Sequence, residues 1–134
     1  MKAMRMMLGD WVNPLNKAIQ GPCRVLNLGD DVALIGNGPK EWIATTAELE
    51  EIPITEDFLK KNGFKLVGDN IWQFQERPFY VWYNTKEHEL GVEIEVNDYM
   101  EEVGTKLCLD IYFNSVHELQ HALKMFEIEK DIRP

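Results

Sequence analysis

Residues 107–126, LCLDIYFNSVHELQHALKMF, change hydrophobic period halfway along, and that change sets the fold class. Leu107, Leu109, Ile111 and Phe113 alternate with Cys108, Asp110 and Tyr112, as a strand with one buried face requires. Asn114 and Ser115 then break the alternation. Val116, Leu119, Leu123 and Phe126 recur at spacings of three and four, with Ala122 on the flank, which predicts an amphipathic helix. Ser115 followed by Glu118 reads as a capping box at its start. A strand running through a tight turn into a helix is the pattern from which the rest of the chain is read.

That helix also holds the only catalytic signature in the chain, His117-Glu118-Leu119-Gln120-His121. In H-E-x-x-H zinc peptidases two His at i and i+4 reach one metal from one helical face, and the Glu is the general base. His117 and His121 would then be metal ligands and Glu118 the catalytic base. Three features argue against this. Glu118 has a structural role in the capping box, the motif lies in the first helical turn, and only acidic residues close to the chain end follow as a third ligand. The favoured expectation is therefore a solvated His pair on the polar side of the helix together with Lys124, with no metal and no cofactor.

Upstream, residues 1–54 read as a small β module. Residues 8–12 (LGDWV), 23–28, 32–35 and 41–45 are strand candidates, separated by Asn13-Pro14, Gly21-Pro22, Gly29-Asp30-Asp31 and Gly36-Asn37-Gly38-Pro39. Short strands with Gly-rich turns predict an SH3-like barrel or curled sheet. Trp11 and Trp42 would line a ligand groove in such a module, or else serve as core packing. Residues 47–54 (AELEEIPI) read as an acidic connector. Thr55 caps a two-turn helix that stops at Asn62-Gly63.

Residues 55–134 then form the α+β half, and the two halves make one compact unit. Residues 64–67, 71–75, 79–83, 91–96 and 107–113 supply an antiparallel sheet that packs with the short helix and the C-terminal helix, and the whole is classed α+β. The aromatic run from Trp72 to Tyr83 lacks the interleaved Lys and Arg of a single-strand binder and is read as sheet core.

The balance of 14 basic against 23 acidic residues gives a net charge of −9. Phosphate neutralisation needs clustered cations, so direct nucleic-acid binding is excluded, and so is docking on an anionic membrane. The same charge suits a basic protein partner. Glu93 and Glu95 share a strand face within the acidic stretch 86–102 and are the candidate contacts for it. Cys23 and Cys108 are expected as reduced thiols, and no apolar signal segment opens the chain, which predicts a cytoplasmic protein.

Three blocks together resemble one family: L-G-D-W-V at residues 8–12, E-x-I-P-I-T-E-x-F-L-x-K-N-G-F at 50–64, and V-H-E-L-Q-H-A-L at 116–123 with I-E-K-D-I behind it at 128–132. The family consists of small proteins of Bacteroides-type bacteria, common in their phages and integrated mobile elements. It has no established activity, so the resemblance carries over no catalytic residue. Its close usually reads V-H-x-L-Q with the second His often replaced, which implies that His121 is not a required ligand. The implied context is a cytoplasmic accessory protein of a mobile element, and the expected role is non-enzymatic, by protein–protein binding. A zinc-dependent hydrolase is the alternative.

Overall fold

The computed structural model describes residues 6–76, 78–95, 104–105 and 111–134. Its class is α+β, mostly strand, with two antiparallel sheets and a few helices. The chain divides into two compact units that interleave in sequence. One holds residues 1–53, 115–122 and 132–134, and the other holds 54–114 and 123–131.

In the first unit, β1 (Trp11–Pro14), β2 (Cys23–Leu28), β3 (Val32–Asn37), β4 (Lys40–Thr45) and β5 (Leu49–Glu50) form a half-barrel sheet in the order β4-β3-β2-β1-β5. Every pairing is antiparallel, with Leu34 opposite Ile43 and Trp11 opposite Arg24. Alternation explains the core. Val12, Cys23, Val25, Ala33, Ile35, Ala44 and Leu49 point inward together, and Leu28 and Trp42 pack against them. Gly38, at φ +61°, lets the chain reverse between β3 and β4.

The acidic connector expected over 47–54 contains a strand. A 3-10 turn, Thr46–Glu48, is capped by Thr45, whose backbone N–H and hydroxyl both donate to the Glu48 carboxylate at 3.0 and 2.8 Å. These bonds hold the Glu48 carboxyl below its ordinary range. The turn delivers Leu49 to pair with Pro14 in β1.

In the second unit, α1 (Glu56–Lys61) is capped by Thr55, which accepts the Phe58 N–H at 3.1 Å. It buries Phe58 and Leu59. Strands β6 (Lys65–Gly68), β7 (Ile71–Glu76), β8 (Phe79–Asn84) and β9 (Glu89–Glu95) follow as a meander. Both β10 (Gly104–Thr105) and β11 (Ile111–Tyr112) pair with β9. The strand expected over 107–113 is seen at β11; residues 106–110, with Cys108, lie outside the described residues. Part of the aromatic run is core: Trp72, Phe74 and Tyr83 are buried while Phe79, Tyr80 and Trp82 are half-buried, and the Tyr83 hydroxyl donates to the Phe113 carbonyl at 2.6 Å. Gly91 sits opposite Trp82, and a Cβ there would collide with the indole ring, so only glycine fits beneath it.

The helix expected after Ser115 is α2, Val116–Met125. Its residues 116–122 belong to the first unit and 123–125 to the second. Among the described residues no helix is long and apolar enough to cross a membrane.

Candidate functional site

The start of α2 is tied to the first unit by backbone and side chain alike. The Val116 N–H donates to the Ile52 carbonyl at 2.8 Å, and Pro53 and Ser115 form an isolated bridge. The Ser115 hydroxyl donates to the Glu118 carboxylate at 2.7 Å, so the two residues meet side chain to side chain and not through the side-chain-to-backbone bonds of the expected capping box.

The His pair is not solvated. His117 is only 1% exposed, and His121 is partly covered. A single apolar stripe would leave the opposite side of the helix in water. Here His117, Gln120 and His121 on that side face residues 9–11 and Glu51, while Lys124 stays exposed. Gln120 donates to the Gly9 carbonyl and accepts from the Trp11 N–H, both at 3.0 Å, standing in for a strand neighbour. The His121 Nε2 lies 2.8 Å from both oxygens of Asp10, which is fully buried and also accepts the Met7 N–H at 2.7 Å. A buried carboxylate requires such partners, and this one has them from its own turn and from the helix.

His117 is less well provided. Its Nδ1 is buried with no hydrogen-bond partner, and its Nε2 lies 3.9 Å from the Glu51 carboxylate, beyond hydrogen-bond range. A buried polar atom left in this state costs roughly 1–3 kcal/mol. Burial pulls the His117 imidazole below its ordinary pKa, with His121 adding to the effect, while Asp10, Glu51 and Glu118 oppose it. The two imidazoles meet edge to face with centroids 5.4 Å apart. The ligand atoms that gather within 4.8 Å of one another belong to Glu51, His117 and Glu118.

The other expected site residues are dispersed. Trp11 is half-buried, donates its indole N–H to the Ile132 carbonyl at 3.0 Å, and carries the Arg24 guanidinium 4.7 Å from its ring centre. Trp42 is half-buried and borders a cleft of about 430 Å³ with Ala18, Gln20, Asn37, Pro39 and Lys40; Trp11 is not part of its lining. Glu93 is half-buried on β9 opposite Tyr80. Glu95 pairs with Gly104 through its backbone, and its side chain lies outside the described residues. Cys23 is buried, and burial pushes its thiol up, away from the reactive thiolate.

Asp10, Glu51 and Gln120 were not among the expected site residues. Asp10 had one signal, an acid between Gly9 and an aromatic strand residue. Comparison with protein-family models, with curated proteins and with solved structures returned no match to this chain.

Proposed function

We propose that the protein is a non-enzymatic binding module whose first unit is an SH3-like barrel, and that it captures a basic protein partner. The strand order β4-β3-β2-β1-β5, with a single 3-10 turn before the last strand, supports the barrel reading. The observation that carries the binding reading is the internal use of the polar residues of HELQH. Glu118 accepts from Ser115, Gln120 pairs with residues 9 and 11, and His121 is held by Asp10. These are contacts that build a fold. The cleft beside Trp42 offers an aromatic wall with Pro39 next to it, and the net charge of −9 favours a cationic partner. The setting is that of a cytoplasmic accessory protein of a phage or mobile element. The hydrolase alternative through His117, His121 and Glu118 has less support, because the helix's Glu and second His already have internal partners.

The test is affinity purification of the tagged protein from its own type of host at low and high salt, beside a Trp42→Ala variant. The expected result is one stoichiometric basic protein, released by salt and retained at least tenfold less by Trp42→Ala. Recovery of clean protein without a partner, or of a partner indifferent to both changes, overturns the proposal.

A further inference from the structure

We infer that Glu51, His117 and Glu118 form a site for one borderline divalent transition-metal ion, zinc being the best fit, in which His121 takes no part. One donor atom from each residue lies within 4.8 Å of the other two. The decisive member is His117. It is almost wholly buried, and its Nε2, the nitrogen that would take the ion, faces the Glu51 carboxylate across 3.9 Å. That separation is too long for a hydrogen bond and close to what a shared ion needs. With Zn–N and Zn–O bonds of about 2.0–2.2 Å, tetrahedral neighbours stand roughly 3.3–3.6 Å apart. Glu51 is exposed, so its side chain can close the difference, and it leaves the ion a path in from solvent.

The donor chemistry selects the metal class. Two carboxylates balance a 2+ charge, and an imidazole favours zinc and its neighbours over magnesium or calcium, which take all-oxygen shells. The Ser115 hydroxyl bonds one Glu118 oxygen, leaving the other for coordination. That bond would also fix the carboxylate's orientation, as partners of metal ligands commonly do. An ion here would fasten residue 51 to the start of α2, next to the place where the Ile52 carbonyl already receives the Val116 N–H.

This arrangement differs from the H-E-x-x-H pattern. In that pattern both His bind and the Glu is a base; here the first His and the Glu bind, with Glu51 as third ligand. The experiment is calorimetric titration of chelator-treated, desalted protein with zinc chloride, paired with thermal unfolding and a magnesium control. Wild type is expected to take up one equivalent of zinc with a rise in Tm, and magnesium to do neither. Glu51→Gln, a change at an exposed position, should weaken zinc binding at least tenfold with the apo fold intact. His121→Gln, confirmed as folded by circular dichroism, should bind as wild type does. Failure of folded wild type to take up zinc overturns the inference. So does binding that survives Glu51→Gln, whether it disappears with His121→Gln or spreads over several weak equivalents.

Discussion

Neutral His117 in a buried position makes the fold sensitive to acid in a definite direction. Burial lowers its folded-state pKa beneath the 6.5 of an unperturbed imidazole. As pH falls through 6.5 the unfolded chain takes up the proton first, so the stability tied to neutral His117 is complete above that pH and drains away below it. Urea unfolding in the presence of chelator, at steps from pH 7.5 to 5.5, should show wild type losing stability faster than His117→Gln. Equal slopes would refute the assignment. None of this could be read from residues 116–126, because helical spacing assigns His117 to a side that only the distant residues 9–11 and 51 convert into interior. The Asp10–His121 pair spans a separation of 111 positions and was hidden for the same reason.

At the scale of elements, caps and alternation carried most of the information. Thr55 and Gly63 bound α1, and inward alternation through Cys23, Val25, Ala33 and Ile35 delivered the first sheet. A strand of two residues within an acidic segment has no period to detect, so β5 escaped. The end of α2 was only half legible. Its last turn closes with the Ile128 N–H on the Leu123 carbonyl and the Glu127 N–H on the Lys124 carbonyl, at 2.9 and 3.0 Å, the Schellman pattern that α1 completes with Gly63. In α2 the left-handed position belongs to Glu127, at φ +57°. A side chain there costs about 1 kcal/mol relative to glycine. Glu127→Gly is expected to raise the unfolding free energy by up to about 1 kcal/mol, measured by urea denaturation. A loss of stability would mean that the Glu127 side chain makes a contact worth more than the strain.

For the whole chain, the first unit is defined by residues from both ends of the sequence. Asp10, Gly9 and Trp11 find their partners at His121, Gln120 and Ile132. A fragment of residues 1–54 retains every strand of the half-barrel but leaves Asp10 buried without its imidazole. It is expected to show no cooperative thermal transition by circular dichroism. Fusing residues 115–134 to it through a flexible linker should restore one. A cooperative transition in the bare fragment would show that the helix is dispensable to the sheet.

The same interleaving orders events during synthesis. The five strands of the first sheet are complete at residue 50, yet Trp11 waits for the Ile132 carbonyl to be made. At the usual ~5–20 residues per second this delay lasts several seconds. Throughout it the nascent N-terminal half would hold the Asp10 carboxylate with the Met7 N–H but without the His121 imidazole. Its maturation thus depends on how quickly residues 115–132 follow it out of the ribosome.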